Sequence, residues 1–247
     1  MPAAREELAL SFGASAVTYD RLRPGYPGPA IDEAIGPAGI TTAVDLGAGT
    51  GRLTAGLCER GLEVIALEPD AGMLQLLTAA LPQVRAEIAT AESMPLPDAS
   101  VDAVFAGQAF HWFSRPAADR EIARVLRPGG IVAILTNVNP DDADYEGILY
   151  QTVIGERQPS IAHGAVDLDT GLFTDETEVL VPNPQPLAAA DFLTLPTTWS
   201  WVATSTPTQQ ARVAEEARAL LGRIADPGGE TVTMPYSTRV VRAVRRG

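Results

Sequence analysis

The stretch that decides the fold reads Val44-Asp45-Leu46-Gly47-Ala48-Gly49-Thr50-Gly51-Arg52-Leu53. An apolar run over residues 41–46 leads into three glycines at alternate positions, and a helical pattern follows them. The run predicts a buried strand, and the glycines permit a sharp turn that a ligand can approach closely. The next helix would direct its unpaired N–H groups at whatever lies above the turn. This order of strand, glycine turn and helix indicates a ligand-binding loop of an α/β protein.

The glycine spacing argues against one familiar kind of nucleotide loop. A dinucleotide-binding G-x-G-x-x-G loop would need its third glycine at position 52, where Arg52 stands. A nicotinamide-dependent oxidoreductase is also disfavoured because the chain has no lysine and therefore no Tyr/Lys pair. From the residues alone, a glycine-rich turn of an α/β protein that binds no nucleotide stays open.

An acidic residue follows the second predicted strand. Residues 52–60 read as a helix that ends at Gly61, where a glycine commonly ends a helix. The run 63–67 is then a second buried strand, and Glu68 stands at its tip, 21 positions after Gly47. In doubly wound folds an acid there accepts hydrogen bonds from ribose hydroxyls. A solvated strand end is the alternative for Glu68. Asp70 is a plausible N-cap of the next helix.

The downstream pattern predicts three more strands with short links, namely 84–89, 101–106 and 131–136. Helices are predicted over residues 70–80 and 116–126. The pattern as a whole is five strands alternating with four helices, which indicates a parallel, right-handed α/β sheet. Ligands of such sheets bind beyond the carboxyl ends of the strands. His111 lies just beyond the fourth strand, so it is a general base, a residue that orients a substrate oxygen, or scaffold support.

The C-terminal part is harder to interpret. Helices are expected near 145–154, 187–195 and 209–224, a returning strand over 197–202, and a last β segment over 231–244. Trp199 and Trp201 would share one face of that returning strand. The acidic residues within 141–144 and 167–169 lack the glycine and glutamate positions of a Ca²⁺ loop, so no metal site is predicted.

Net charge, cysteine content and the length of the apolar runs limit the classes of partner that the protein can have. The formal net charge of -13 over 247 residues argues against nucleic acid, because phosphate contacts need a basic face. The single cysteine, Cys58, indicates a reducing compartment, because it has no partner within the chain for a disulfide. Its side chain is expected to be small and buried in the helix. No apolar run reaches the roughly 18 residues of a membrane span, so we expect a cytoplasmic protein with no membrane partner. Nothing in the sequence gives its oligomeric state.

Several motifs resemble one enzyme family. Val-Asp-Leu-Gly-Ala-Gly-Thr-Gly over 44–51 resembles motif I of the class I S-adenosylmethionine-dependent methyltransferases, and 125–130 resembles the segment before their fifth strand. Residues 108–112 are similar to the Q-A-x-H-W segment of the methyltransferase type 11, trans-aconitate methyltransferase-like subgroup. Residues 19–27 resemble its Y-x-x-x-R-P-x-Y-P segment. The resemblance implies a Rossmann-like, doubly wound, mostly parallel seven-stranded sheet with an antiparallel C-terminal strand and helices on both faces.

The resemblance also implies a function and a set of site residues. The cofactor would be S-adenosyl-L-methionine, and a small-molecule acceptor, with a carboxylate or hydroxyl oxygen, would receive its methyl group. The implied cofactor-binding residues are Tyr19, Arg23, Asp45, Gly47, Ala48, Gly49, Thr50, Gly51, Glu68, Pro69, Met73, Ala91, Glu92, Gln108, Ala109 and Phe110. Tyr19, Arg23, His111 and Trp112 would meet the acceptor, with His111 as the candidate catalytic residue. A guanidinium at Arg23 would match a carboxylate acceptor in geometry.

We expect a single methyltransferase domain over 1–247. Its four parts would be an N-terminal cap or lid (1–40), a cofactor-binding core (41–136), a variable substrate-pocket insertion (137–196) and a C-terminal strand-helix-strand (197–247). For residues 1–40 a moving lid and a packed cap remain equal alternatives. A non-catalytic regulatory protein that binds S-adenosylmethionine or a nucleotide would need the loop and Glu68 without a formed acceptor pocket, and it is the second hypothesis.

Overall fold

In a computed structural model of the chain, residues 22, 24–37, 39–140, 145–155 and 166–247 are described. The predictions for Tyr19 and Arg23 lie outside these residues. The strands are β1 Thr42–Leu46, β2 Glu63–Leu67, β3 Arg85–Glu87, β4 Val101–Gly107, β5 Leu126–Val138, β6 Phe173–Pro182, β7 Gln185–Ala188, β8 Thr231–Met234 and β9 Ser237–Arg245. The helices are α1 Gly28–Ile35, α2 Arg52–Cys58, α3 Ala71–Ala80, α4 Ala117–Val125, α5 Tyr145–Ile154, α6 Ala189–Thr194, α7 Ser200–Ala203 and α8 Pro207–Ile224.

Seven of the strands form one sheet in the order β3-β2-β1-β4-β5-β9-β6. Neighbours from β3 to β5 run parallel, whereas β9 runs antiparallel to both β5 and β6. The sheet is therefore mostly parallel with one antiparallel C-terminal strand, as predicted. Because β1, β2, β4 and β5 run parallel, their carboxyl ends lie at one edge of the sheet, where the glycine loop lies.

Helices cover both faces of this sheet. On one face α1 and α2 place Ile31 and Leu57 against Phe105 of β4. On the other face α4 places Ile122 against Val104, the next residue along the same strand. Side chains of this size stabilise the fold by about 1.5–3 kcal/mol each when fully buried. Adjacent residues of β4 thus serve opposite cores, which is why the central strands read as continuous apolar runs.

A second apolar cluster lies outside the sheet. It joins α5, α6, α8 and the separate two-stranded sheet of β7 and β8, and Trp199, Phe192 and Leu220 are among its buried members. Leu22, from the N-terminal region, is buried in the same cluster. The predicted helices 145–154 and 209–224 therefore pack together over their own core. None of the helices in the described ranges is both long and apolar enough to cross a membrane.

The returning strand predicted over 197–202 is wrong. Leu195–Thr198 is a 3₁₀ helix, and it is followed by the short helix α7. Trp199 is buried in the second cluster, and its ring stacks on that of Trp201 at 6.1 Å. Large apolar residues at positions i and i+2, such as Trp199 and Trp201, are compatible with a strand. In so short a run, however, this spacing does not distinguish a strand from a helical turn.

The sixth strand of the sheet is instead β6, which the sequence pattern did not reveal. Most of β6 is exposed, because it is the edge strand and pairs on one side only, with β9. An exposed edge strand carries charges and lacks the apolar alternation that marks a half-buried strand.

The other corrections concern element limits. The β segment predicted over 231–244 is two strands in different sheets, β8 and β9, interrupted near Pro235. The link between β3 and β4 contains no helix, so the predicted alternation fails there. Strand β5 begins five residues before the predicted 131, and β3 is shorter than predicted. Helix α2 ends at Cys58 instead of at residue 60, and the side chain of this cysteine is half-buried instead of buried.

Candidate functional site at the carboxyl edge of the sheet

The glycine loop is tied to the neighbouring strand and packed against the segment after β4. Gly47 has a φ of 72° and its N–H donates to the carbonyl of Leu67 at 2.8 Å. A Cβ atom at Gly47 would lie 2.5 Å from the Cβ of Ala109. Only glycine combines a left-handed φ at no steric cost with so close an approach. The predicted residues 47 and 109 are therefore in direct contact.

Glu68 holds the loop from the tip of β2. Its Oε2 accepts the N–H of Gly49 at 2.8 Å and its Oε1 accepts the N–H of Asp70 at 2.9 Å. Burial raises the pKa of the Glu68 carboxyl, while these two hydrogen bonds oppose that rise. Pro69, between the two acids, is half-buried. Because each carboxylate oxygen has two acceptor positions, the bonds to the backbone leave capacity for a ligand.

Asp70 and Met73 form the next wall of the site. Asp70 caps α3, since its Oδ1 accepts the N–H groups of Gly72 at 2.8 Å and Met73 at 3.0 Å. This confirms the predicted N-cap. Met73 is buried, and its sulfur would lie 3.8 Å from a Cβ atom at Gly49. The helix cap thus places the methionine side chain directly beside the loop.

Asp45 lies beneath the loop and is almost completely buried, with 1% of its surface exposed. Its Oδ2 accepts the hydroxyl of Thr54 at 2.6 Å, whereas Oδ1 has no hydrogen-bond partner in the part of the chain that the structure describes. Burial, and secondarily the charge of Glu68, raise the pKa of Asp45 to about 7, against the hydrogen bond of Thr54. The loop therefore rests on a buried carboxyl group with one unused acceptor.

The remaining loop residues close the turn above Asp45. Ala48 and Gly51 are buried, while Thr50 is half-buried. Gly51 has a φ of 92°, and a Cβ atom there would lie 2.9 Å from Leu77 of α3. The loop is consequently fixed from three sides, by β2, α3 and the segment after β4.

The loop after β3 connects to the segment after β4. Ala91 is buried in the core that also packs against Phe110. Glu92 is half-buried, and its Oε1 accepts the N–H of Ser114 at 2.6 Å. Arg124 fixes the same loop from α4 by donating to the carbonyl oxygens of residues 94 and 96. Glu92 therefore joins the segments that follow β3 and β4, a contact that the sequence did not predict.

The tip of β4 carries the remaining predicted residues. Gln108 has a φ of 52°, and its side-chain amide donates to the carbonyl of Asn137 at 3.3 Å. Beyond it, Phe110–Trp112 is a single 3₁₀ turn in which all three residues are half-buried. The rings of His111 and Trp112 are 4.9 Å apart. The guanidinium of Arg115 lies 4.7 Å above the ring of Phe110, within cation–π distance.

The structure thus groups the predicted residues of the cofactor loop, Glu68, Met73 and the segment 108–112 around one edge of the sheet. Sequence reasoning missed Tyr26, which lies against Gly107 at the tip of β4, and the buried polar side chains of Asn137, Asn183 and Thr238. The position of Asn137 at the end of the fifth strand was the one usable signal. Within the described residues, no three His, Cys, Asp or Glu side chains are grouped as metal ligands.

Comparison with known proteins points to one family. A family model described as "Methyltransferase domain" matches residues 44–134. An uncharacterized methyltransferase of Mycobacterium tuberculosis is 49% identical over 141 residues, which cover 57% of this chain and 58% of the relative. A malonyl-[acyl-carrier protein] O-methyltransferase of Methylococcus capsulatus is 37% identical over 145 residues, 52% of this chain and 50% of the relative. The chain therefore spans between half and two thirds of each relative's length.

The whole fold is also similar to a solved structure. A protein from Anaeromyxobacter dehalogenans, assigned to the type II methyltransferases, is 27% identical and superposes with a TM-score of 0.65. The superposition covers 90% of this chain and 96% of that one. The narrower likeness to trans-aconitate methyltransferase-like enzymes stays a prediction. Strand order, loop geometry and these matches agree, and together they support a class I S-adenosylmethionine-dependent methyltransferase.

Proposed function

We propose that this protein binds S-adenosylmethionine and transfers its methyl group to a small-molecule acceptor. The observation that carries the proposal is the buried carboxylate of Glu68 at the tip of β2, which accepts the N–H of Gly49 in the glycine loop. An acid at this place suits ribose hydroxyls, and the loop beside it suits the rest of the cofactor. When bound, S-adenosylmethionine supplies an electrophilic methyl group on a sulfonium.

The residues around the loop fit such a cofactor. The unused Oδ1 of Asp45 is a hydrogen-bond acceptor beneath the loop, and the loop glycines carry no side chain that would obstruct a ligand. We assign the methionine portion to Asp45 and the loop, the ribose to Glu68, and the adenine to Met73 with Ala91 and Glu92. The remaining proposed contacts are Tyr19, Arg23, Ala48, Thr50, Pro69, Gln108, Ala109 and Phe110.

The protein's own share of the chemistry is to orient the acceptor and exclude water. We assign Trp112 and His111, on the 3₁₀ turn beyond β4, to the place where the cofactor and the acceptor would meet. For His111, scaffold support, orientation of an acceptor oxygen and proton removal are the three proposed roles. The proposal needs no nucleophilic residue and no metal, because the cofactor would itself supply the activated methyl group.

For the acceptor atom we propose a carboxylate or hydroxyl oxygen. The name of the Methylococcus relative describes O-methylation of a malonyl group, which ends in a carboxylate. Arg23 would bind such an acceptor through paired hydrogen bonds. The proposal includes a cytoplasmic location, on the ground of the single cysteine, and no nucleic acid as substrate, on the ground of the net charge.

Calorimetric titration with S-adenosylhomocysteine, with NAD as the control ligand, tests the cofactor. We expect a micromolar Kd, which corresponds to about -8 kcal/mol. Glu68→Gln should weaken it about tenfold or more, because the variant loses the charge that suits two hydroxyl donors. Glu63→Gln is the matched control, since Glu63 is an exposed carboxylate at the opposite end of the same strand. Equal affinities for the two variants, or preference for NAD, would refute the proposal.

A second experiment separates the enzyme from a binding protein. If S-adenosylhomocysteine binds as expected, transfer of a labelled methyl group to a panel of carboxylic acids and alcohols should give at least one product. Tight binding without turnover over a broad panel that also includes amines would favour the non-catalytic regulatory alternative.

A further inference from the structure

A cluster of buried polar side chains lies at the carboxyl edge beside the proposed site. Asn137 and Thr238 are register partners on β5 and β9, and Asn183 follows the end of β6. At most 4% of any of these residues is exposed. The hydroxyl of Thr238 donates to the Oδ1 of Asn137 at 2.6 Å, and the Nδ2 of Asn183 lies 3.2 Å from the same oxygen. The cluster is thus a hydrogen-bonded row across three strands.

This row binds a segment from the other end of the chain, residues 24–27, which we call the strap. The carbonyl of Gly25 accepts hydrogen bonds from Asn183 at 3.0 Å and from Asn137 at 3.2 Å. Asn137 also donates to the carbonyl of Pro24 at 3.2 Å. The bonds join residues 158 and 112 positions apart in the chain. Buried amides that satisfy one carbonyl twice fix its position more firmly than surface contacts do.

The strap in turn touches the proposed cofactor site. A Cβ atom at Gly107 would lie 2.5 Å from the hydroxyl of Tyr26, so the tyrosine stands directly against the tip of β4. A Cβ atom at Gly25 would lie 3.6 Å from the guanidinium of Arg52, the residue that follows the glycine loop. Gln108 is held from the other side by the carbonyl of Asn137. One cluster therefore fixes the strap and the residue just after β4.

We propose that Asn137 and Asn183 are positioning residues that clasp the strap across the carboxyl edge, so that Tyr26 and Gln108 form a wall of the site at the end where the acceptor meets the cofactor. This inference rests on the proposed function. Neither amide titrates, so the clasp is independent of pH. The wall retains the bound cofactor product and orients the acceptor, while the glycine loop and Glu68 provide most of the binding.

The matched variants are Asn183→Leu and Thr238→Val. Each removes a buried polar group from the same cluster with little change in volume, but only the first removes a bond to Gly25. Hydrogen–deuterium exchange of a peptide covering 22–31, and the dissociation rate of S-adenosylhomocysteine, are measured for both. We expect faster exchange and about tenfold faster dissociation in Asn183→Leu, and values within about twofold of the unsubstituted protein in Thr238→Val. Asn183→Ser, which is polar but too short to reach Gly25, should behave like Asn183→Leu and replaces it if that variant does not fold.

Equal exchange or equal dissociation rates in the two variants would overturn the clasp. A purely structural cluster predicts that outcome, because both variants lose buried hydrogen bonds and would be destabilised alike. Failure of the unsubstituted protein to bind S-adenosylhomocysteine would instead refute the proposed function, and the positioning role with it. Once an acceptor is found, Asn183→Ser should raise its KM more than it lowers kcat.

Discussion

Replacing Gly47 by alanine should damage the site in a way that can be measured at one contact. The added Cβ would lie 2.5 Å from the Cβ of Ala109, where ordinary contact begins at 3.4 Å. The loop or the segment after β4 must therefore move by about 0.9 Å. Overpacking of this kind costs about 1–3 kcal/mol of stability. The left-handed backbone at Gly47, with a φ of 72°, adds about 1–2 kcal/mol for any other residue.

Gly61→Ala separates these two costs. Gly61 has a φ of 80°, and no described atom lies within 4 Å of the Cβ position, so only the backbone cost applies. Urea unfolding should show a loss of about 1–2 kcal/mol for Gly61→Ala and about 2–5 kcal/mol for Gly47→Ala. S-adenosylhomocysteine should bind Gly47→Ala at least about tenfold more weakly, because the proposed cofactor contacts shift when the loop moves. Gly61→Ala should leave that affinity unchanged.

The double variant Gly47→Ala with Ala109→Gly completes the experiment. Removal of the Ala109 methyl group gives the new Cβ its space, so a double-mutant cycle should return a favourable coupling energy of about 1–3 kcal/mol. A coupling energy near zero would refute the reasoning, since it would mean that the loop does not depend on contact with the segment after β4.

Three further perturbations test other parts of the site. Because the raised pKa of Asp45 means that the folded state holds a proton that the unfolded state has lost, stability should fall as the pH rises from about 4 to 7. Asp45→Asn should remove up to about 4 kcal/mol of this pH-dependent change in the unfolding free energy, as measured by urea titration at each pH. Parallel pH curves for the variant and the unsubstituted protein would contradict the assignment. If His111 is only a scaffold, turnover should fall in His111→Ala but survive in His111→Asn, whereas equal losses would indicate proton transfer. Arg124→Met should lower the unfolding free energy by about 2 kcal/mol in urea, since two loop carbonyls lose their donor.

The proposed cofactor half of the site could be assembled from the sequence because its parts are close together along the chain. Asp45, the glycine loop, Glu68 and Met73 lie within thirty residues, and each is placed by a local rule: a strand end, a turn or a helix cap. The structure brings them together around the same edge of the sheet. The contact of Glu92 was not predicted: its carboxylate accepts a hydrogen bond from the backbone N–H of Ser114, 22 positions away. A contact of that kind depends on how two loops pack, which spacing alone does not report.

The edge strand β6 was harder to predict, and the reason is physical. An interior strand such as β4 is apolar on both faces, so composition marks it, whereas β6 is exposed and acidic and becomes a strand only by pairing with β9. The run around Trp199 shows the converse error: apolar spacing suggested a strand, but burial of the ring in a helical cluster determined the conformation. Tertiary pairing overrides local propensity most readily where a segment is short or exposed.

The same distinction bears on the acceptor specificity that we propose for this protein. The family model covers residues 44–134, which contain the proposed cofactor contacts apart from Tyr19 and Arg23, but not Gly25, Asn183 or Thr238. The clasp forms only because the register of β5 and β9 sets Asn137 opposite Thr238 and the end of β6 brings Asn183 beside them. Such a cluster depends on long-range pairing and can change without disturbing the loop. We therefore expect that exchanging the residues around the strap alters the choice of acceptor, while exchanging those of the loop alters cofactor affinity.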